Sequence, residues 1–146
     1  MKIAVGSDHG GLEYKNAICE HLKEKGYEVV DVGTHSKDSC HYPLFGAEVA
    51  KLVSSKVCDY GVVVCTSGEG ISMAANKVKG VRCGIAYNDE VAKLMRHHND
   101  ANVISFGQKF MELKDVLKRV DIFLSTEFEG GRHQTRVDMI SSLEEK

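Results

Sequence analysis

Short apolar runs alternate with longer amphipathic segments along the whole 146-residue chain. Each run is typical of a buried strand, and the five predicted strands lie at 2–6, 27–33, 60–65, 82–86 and 103–106. Apolar side chains recur at helical spacing in the first predicted helix, residues 12–25, as at Tyr14, Ile18 and Leu22. Similar patterns predict further helices at 43–55, from about residue 70, after Asn88, around 113–124, and from about 132 to 144.

Strands that alternate with helices favour parallel pairing through right-handed crossovers. The sequence therefore predicts an α/β fold with a five-stranded parallel sheet that is covered by helices on both faces. In such a sheet the ligand binds beyond the carboxyl ends of the strands. We expect the chemistry in the segments that follow the strands, which are 7–11, 34–42, 65–70, 87–88 and 107–109.

Composition narrows the class of protein. A length of 146 residues with 42% hydrophobic residues predicts a single domain over residues 1–146. The net charge of −2 argues against a nucleic-acid or membrane-surface partner, because both favour a basic excess. Five cysteines without a CxxC spacing predict neither a disulfide framework nor a metal site, and are typical of the reducing cytoplasm.

The glycine-rich segment after the first strand carries Asp8 and His9. Glycines here allow backbone N–H groups to approach a ligand, and an Asp–His pair can bind an anion and move a proton on a hydroxyl. The alternative is that Asp8 caps the following helix and His9 is an exposed loop residue.

The segment after the third strand begins with Cys65, followed by the hydroxyls of Thr66 and Ser67. A thiol that faces the start of a helix lies where the helix dipole favours the thiolate. The amides that follow can hold a developing oxyanion. The alternative for Cys65 is a small buried hydrophobic residue.

Two further segments carry cationic or titratable side chains. Adjacent His97 and His98 are expected to diverge at a helix end, so we predict no shared metal; one of them can act as an acid, a base or a donor, or simply stabilise the helix end. Arg132 and Arg136 are four apart on one predicted helical face and fit a phosphate or carboxylate. A solvated basic turn is the alternative. Together the four segments fit cofactor-free proton transfer on a sugar phosphate, and fit acyl or phosphoryl transfer less well.

Five blocks of this sequence resemble the type B ribose-5-phosphate isomerases, a family that includes galactose-6-phosphate and allose-6-phosphate isomerases. They are GSDHGG at 6–11, YP at 42–43, CxSGxGISxAANK at 65–77, HNDAN at 98–102 and GGRHxxR at 130–136, where x is a position outside the resemblance. The blocks follow one another in order from residue 1 to about residue 142.

The resemblance implies a three-layer αβα sandwich with a Rossmann-like sheet. It also implies a homodimer or a dimer of dimers, whose active sites receive residues from the neighbouring subunit. The segment from about residue 130 is expected to pack on that partner. No cofactor and no metal are implied.

The resemblance also assigns roles to individual residues. Cys65 corresponds to the base that moves a proton between C1 and C2, and Ser67 to a hydroxyl that assists it. The amides of the loop from Thr66 through Gly68 to Gly70 correspond to the group that stabilises the enediolate. Asp8 and His98 correspond to the groups that open the sugar ring, and Asn99 corresponds to a residue that contacts substrate oxygens. Tyr42 corresponds to a residue of the site wall. The residues that correspond to the phosphate-binding group are His9, Arg132 and Arg136.

Four positions bear on the branch of the family and on the sugar. Lys109 falls where some members place a phosphate-binding Arg. Ile71 is apolar where some members carry a Glu base, so the thiol-base branch is favoured. Glu69, where many members have a small or apolar residue, is either a surface residue or a second carboxylate near the sugar, and His41 replaces a frequent Asp.

The expected reaction is the interconversion of ribose 5-phosphate and ribulose 5-phosphate through an enediolate. The alternatives are the isomerisation of a six-carbon sugar phosphate and, in a different class, a non-catalytic sugar-phosphate sensor.

Overall fold

The computed structural model describes residues 1–144. The described residues form five strands: β1 (Lys2–Ser7), β2 (Glu28–Asp31), β3 (Tyr60–Cys65), β4 (Cys83–Ile85) and β5 (Val103–Gly107). The α-helices are α1 (Leu12–Glu24), α2 (Tyr42–Ser54), α3 (Glu69–Asn76), α4 (Asp89–His97), α5 (Leu113–Ser125) and α6 (Arg132–Ser142). A short 3-10 turn, His9–Gly11, precedes α1.

All five strands are parallel and lie in the order β2-β1-β3-β5-β4. Helices cover both faces, because alternate residues of a strand point to opposite sides. On β3, Val62 and Val64 pack with side chains of α1, α4 and α5, whereas Val63 and Cys65 pack with side chains of α2 and α3. The predicted α/β sandwich is therefore confirmed.

The strands are shorter than their apolar runs in two places. β2 ends at Asp31, because the Asp31 carboxylate accepts a hydrogen bond from the Gly33 amide at 2.9 Å and Gly33 takes a φ of +95°. β4 is limited to three residues, since the amide of Arg82 donates to the side chain of Asn102 instead of to a strand. Backbone hydrogen bonds to β1 continue at Val32 and Thr34, so only the single amides of Gly33 and Arg82 donate to side chains, which the apolar pattern does not reveal.

Helix ends follow the local residue types. Gly26 lies just beyond α1 with a φ of +88°, and Asn88 caps α4 by accepting a hydrogen bond from the amide of Val91 at 2.8 Å. α3 begins at Glu69, one residue earlier than predicted, because Gly68 adopts a φ of +82°. No helix in the described part of the chain has the length and apolar character that a membrane span requires.

Because the five strands are parallel, they all begin on one side of the sheet and all end on the opposite side. We call the edge where the strands end the carboxyl edge, and the edge where they begin the amino edge. Asp8, Thr66 and Gln108 follow β1, β3 and β5 at the carboxyl edge. α4 and α5 each return from the carboxyl edge, so His97 and Ser125 lie near the amino edge.

Candidate active site

Cys65 ends β3 at the carboxyl edge, and its side chain is buried with 5% of its surface exposed. The Sγ atom accepts a hydrogen bond from the amide of Gly68 at 3.1 Å. The thiol therefore faces the first turn of α3, where amides lack intrahelical acceptors and the dipole favours negative charge. This is the local arrangement that the sequence predicts for Cys65.

The loop after Cys65 is held from behind by β5. The Ser105 hydroxyl donates to the carbonyl of Gly68 at 2.7 Å, and the amides of Gln108 and Lys109 donate to the carbonyls of Cys65 and Thr66 at 3.0 and 3.1 Å. Two of the loop amides already have acceptors within the loop, since Gly68 donates to the thiol and Glu69 donates to the Ser67 hydroxyl. First-turn amides such as that of Gly70 remain oriented towards the site.

Close contacts bring the first loop against the cysteine loop. A Cβ on Gly10 would lie 2.2 Å from the Thr66 hydroxyl, and a Cβ on Gly11 would lie 2.6 Å from the Val64 carbonyl oxygen. A Cβ on Gly107 would lie 2.4 Å from the Ser67 carbonyl oxygen. Glycine at these positions lets three loops of the carboxyl edge meet.

Asp8 and His9 lie in the first of these loops. Asp8 is buried, and its Oδ1 accepts a hydrogen bond from the amide of Gly10 at 2.9 Å. Asp8 therefore caps the 3-10 turn rather than α1 itself, and this cap is compatible with the predicted role of Asp8 towards a ligand. His9 is exposed, and its Nδ1 accepts a hydrogen bond from the amide of Cys40 at 3.2 Å, which places the 34–41 segment beside it.

Tyr42, Glu69 and Lys109 also lie at the carboxyl edge. The Tyr42 ring packs against Gly70, where a Cβ would lie 2.6 Å from ring carbons. Glu69 is exposed at the start of α3, and Lys109 is exposed directly after β5. These three side chains border the cleft formed by the loops of Asp8 and Cys65.

A second polar cluster lies at the amino edge. The ring of His98 stacks on that of His133, with centroids 4.2 Å apart and planes 12° apart. One carboxylate oxygen of Glu129 lies 3.2 Å, 3.8 Å and 3.4 Å from the Nε2 atoms of His97, His98 and His133. The prediction that His97 and His98 diverge is wrong: their ring centroids are 5.4 Å apart, because Glu129 lies beside both rings.

His133 is the buried member of this cluster. Its side chain is 6% exposed, and its Nε2 has no hydrogen-bond partner among the described residues. Burial, followed by the neighbouring His98, lowers the pKa of His133 below its ordinary value. A neutral ring stacked flat beneath His98 fixes the orientation of His98.

Arg132 and Arg136 share the exposed side of α6, next to this cluster, and Asn99 is exposed after α4. The structure thus divides the predicted site residues into two sets. The first set lies at the carboxyl edge and comprises Asp8, His9, Tyr42, Cys65, Thr66, Ser67, Gly68, Glu69, Gly70 and Lys109. The second set lies at the amino edge and comprises His98, Asn99, Arg132 and Arg136, so one chain does not bring the two sets together.

Sequence reasoning missed several supporting residues. His133 and Glu129 hold His98, and the Ser105 hydroxyl holds the cysteine loop. A serine within the apolar run of β5 was the available signal for Ser105, because a buried hydroxyl needs a partner. Glu129 lies in a polar loop and carries no comparable signal.

An ion pair between a fully buried lysine and a partly exposed aspartate was also missed. Lys15 on α1 is 0% exposed, and its Nζ contacts both carboxylate oxygens of Asp31, at 2.8 and 2.7 Å. Burial alone would raise the pKa of Asp31, but the hydrogen bonds from Lys15 and from the Gly33 amide lower it below its ordinary value. The pair fixes the end of β2, from which the segment to Tyr42 begins.

Comparison with known proteins decides the family. The family model that describes ribose/galactose isomerases matches residues 3–140. The chain belongs to this family. Ribose-5-phosphate isomerase B of Escherichia coli is 42% identical over 145 residues, which cover 99% of this chain and 97% of that protein.

Solved structures agree with this membership. The structure of ribose-5-phosphate isomerase B from Clostridium thermocellum is 49% identical, with a TM-score of 0.97, over 98% of this chain and 97% of that one. The structure of the Mycoplasma genitalium ribose-5-phosphate isomerase B with bound ribulose-5-phosphate is 43% identical, with a TM-score of 0.94, over 97% and 94%. The family resemblance, the Rossmann-like fold and the assignment of the chain as an isomerase are thereby confirmed.

Proposed function

We propose that this isomerase interconverts ribose 5-phosphate and ribulose 5-phosphate. The observation that carries the proposal is the position of Cys65, whose thiol lies at the end of a buried strand and accepts a hydrogen bond from the Gly68 amide at the carboxyl edge. A relative that is 43% identical binds ribulose-5-phosphate. A thiol among aligned amides suits proton transfer at carbon, which needs a base and a site for the resulting oxyanion.

The steps follow from the two sets of residues. Asp8 and His98 move the ring hydroxyl proton and open the furanose. The Cys65 thiolate then removes the C2 proton of the open-chain aldose, assisted by Ser67, and returns it at C1. The loop amides hold the enediolate, and each good donor of this kind contributes about 3–4 kcal/mol.

Binding uses the remaining residues. Arg132, Arg136 and His9 hold the phosphate, with Lys109 as a further point charge. Asn99 contacts sugar oxygens, and Tyr42 forms the wall of the site. Glu69 is exposed beside the cleft and is positioned to contact the sugar rather than the core.

We further propose that the active site is completed by a second copy of the chain. The two sets of residues lie at opposite edges of one sheet, so a phosphate on Arg132 and Arg136 cannot reach Cys65 of the same chain. The segment from about residue 130 supports this arrangement, because α6 and its end expose Met139, Ile140 and Leu143 at 63%, 45% and 82%. Such an apolar surface is typical of an interface in a homodimer or a dimer of dimers.

A cytoplasmic location completes the proposal. All five cysteines are unpaired, and Cys40 is partly exposed. Unpaired thiols beside a functional cleft are favoured by a reducing compartment.

A direct assay tests the reaction. The purified chain is compared for kcat/KM on ribose 5-phosphate, allose 6-phosphate and galactose 6-phosphate, with formation of the ketose as the readout. We expect the highest value for ribose 5-phosphate. A higher value for a six-carbon sugar would replace the proposed substrate, and calorimetric binding of all three without turnover would indicate the sensor alternative.

A further inference from the structure

We infer that His97, His98 and Glu129 form a binding site for a Zn²⁺ ion. We also infer that the bound ion prevents His98 from acting on the sugar. The second half of this inference rests on the proposed function of His98. The first half stands on the geometry of the cluster alone.

The ligand atoms are already close together. The Nε2 of His97 and the Nε2 of His98 lie 3.2 and 3.8 Å from the same Glu129 oxygen, and one ligand atom from each of the three residues lies within 4.8 Å of the others. Zn–N and Zn–O bonds of about 2.0–2.1 Å place tetrahedral ligands about 3.3 Å apart. His97 and Glu129 therefore need almost no movement to reach this spacing, and His98 needs a small movement.

The surroundings orient the ligands. The Nδ1 of His97 lies 3.3 Å from the Glu127 carbonyl oxygen, so it can carry the ring proton and leave the Nε2 lone pair for a metal. The amide of Glu129 donates to the His97 carbonyl at 3.0 Å, which ties the carboxylate to the end of α4. The first contact is the supporting interaction that metal-binding histidines commonly have.

A buried histidine nitrogen without a hydrogen-bond partner in the described part of the chain lies beside the same Glu129 carboxylate. The Nε2 of His133 lies 3.4 Å from the shared Glu129 oxygen, is buried, and has no hydrogen-bond partner among residues 1–144. A water molecule on the fourth position of the ion would give this nitrogen a partner. The side chains of His97 and His98 are each 38% exposed, so an ion can enter from solvent.

The donor set selects the ion. Two imidazole nitrogens and one carboxylate suit Zn²⁺, Co²⁺ or Ni²⁺ and disfavour Mg²⁺ and Ca²⁺, which prefer oxygen ligands. The guanidinium groups of Arg132 and Arg136 oppose a cation nearby, so we expect micromolar rather than nanomolar affinity. Once bound, the ion occupies the His98 nitrogen that would otherwise exchange a proton with the ring hydroxyl.

Calorimetric titration of the reduced, metal-free full chain with Zn²⁺ tests the site. We expect one ion per chain, with affinity weakened by at least roughly 10-fold in His97→Ala and in Glu129→Gln. His35→Ala is the matched control for loss of an exposed histidine. Cys40→Ser controls for the competing pair of Cys40 and His9, whose Sγ and Nδ1 atoms are 3.8 Å apart.

Co²⁺ provides an independent spectroscopic readout. We expect visible bands of a nitrogen- and oxygen-ligated tetrahedral ion without a sulfur-to-cobalt charge-transfer band. A sulfur band, or equal affinity in wild type and in both cluster variants, would overturn the site.

Inhibition is measured separately. Zn²⁺ should abolish the isomerisation of ribose 5-phosphate by the wild type and should have little effect on His97→Ala at the same free concentration. Zn²⁺ binding without inhibition would overturn the inference that the bound ion prevents His98 from acting on the sugar. Absence of isomerase activity in the metal-free protein would instead refute the proposed function and leave the binding result intact.

Discussion

At the scale of single residues, the proposed reaction depends on Cys65. It is one of several buried thiols, yet its Sγ lies at a strand end and receives an amide hydrogen bond. Cys58 is buried to a similar extent in the same hydrophobic cluster and makes no approach to the cleft. Position in the fold, rather than burial, distinguishes the two thiols.

We therefore expect Cys65→Ala to lower kcat by about 10²–10⁴-fold and to leave KM nearly unchanged, because the thiol moves a proton but does not hold the phosphate. Steady-state kinetics on ribose 5-phosphate measure both parameters. Cys58→Ala is the matched control and should keep its kcat. Wild-type turnover in Cys65→Ala would refute the assignment of the base.

The close contacts of glycines at the carboxyl edge predict that a side chain added there is harmful. Gly107→Ala should impair both stability and activity, because its Cβ would lie 2.4 Å from the Ser67 carbonyl oxygen, and backbone cannot rotate away. Overpacking of this kind costs about 1–3 kcal/mol. Thermal unfolding and kcat measure the two effects.

Gly84→Ala on the neighbouring strand is the control, since its Cβ would meet the flexible Met95 side chain at 3.1 Å. It should be tolerated better than Gly107→Ala. Equal Tm values for the two variants would show that the cysteine loop can move aside.

At the scale of elements, the Lys15–Asp31 pair links stability to pH. The folded pKa of Asp31 is below its ordinary value of about 3.9. A depressed folded pKa contributes stability that is present above the ordinary pKa and is lost as the pH falls through the folded pKa. The pair should therefore stabilise α1 and β2 at neutral pH and lose this effect in acid.

We expect Lys15→Met to lower the free energy of unfolding at pH 7 and to differ less from the wild type as the pH falls below about 4, where the carboxyl becomes protonated in both. Urea unfolding at several pH values measures the difference. Lys23→Met, an exposed change on the same helix, should show no such pH dependence. A difference that stays constant with pH would contradict the linkage.

The elements themselves were largely predictable. Apolar runs located all five strands, and Gly26 and Asn88 marked a helix end and a helix start. Strand lengths were less accurate, because the side chains of Asp31 and Asn102 accept hydrogen bonds from backbone amides, and hydrophobic periodicity does not report such side-chain contacts.

At the scale of the whole molecule, the order β2-β1-β3-β5-β4 inserts β5 between β3 and β4. Parallel pairing could be predicted from the alternation of strands and helices, but the sequence does not give the order of neighbours. The rule that ligands bind at the carboxyl ends brought together Asp8 and Cys65. It could not place His98 and Arg132, which follow helices rather than strands.

The separation of the two sets predicts complementation between subunits. Cys65→Ala and Arg136→Ala should each be nearly inactive as pure proteins. Mixed by unfolding and refolding at equal amounts, they should regain about one quarter of wild-type activity, because half of the dimers are mixed and each has one intact site.

The specific activity of the mixture is the measurement, and each variant unfolded and refolded alone is its control. Mixed chains that remain inactive would show that each site is built from one chain.

The contacts around Gly68 have a consequence for ligand recognition. The Ser105 hydroxyl, the β5 amides and the close glycine approaches fix the cysteine loop during folding, before any sugar arrives. The entropic cost of ordering that loop is therefore part of the free energy of folding and does not reduce the affinity for the sugar. In the proposed reaction, the oxyanion would meet dipoles that need no reorientation, so the reorganisation energy at this edge of the sheet would be small.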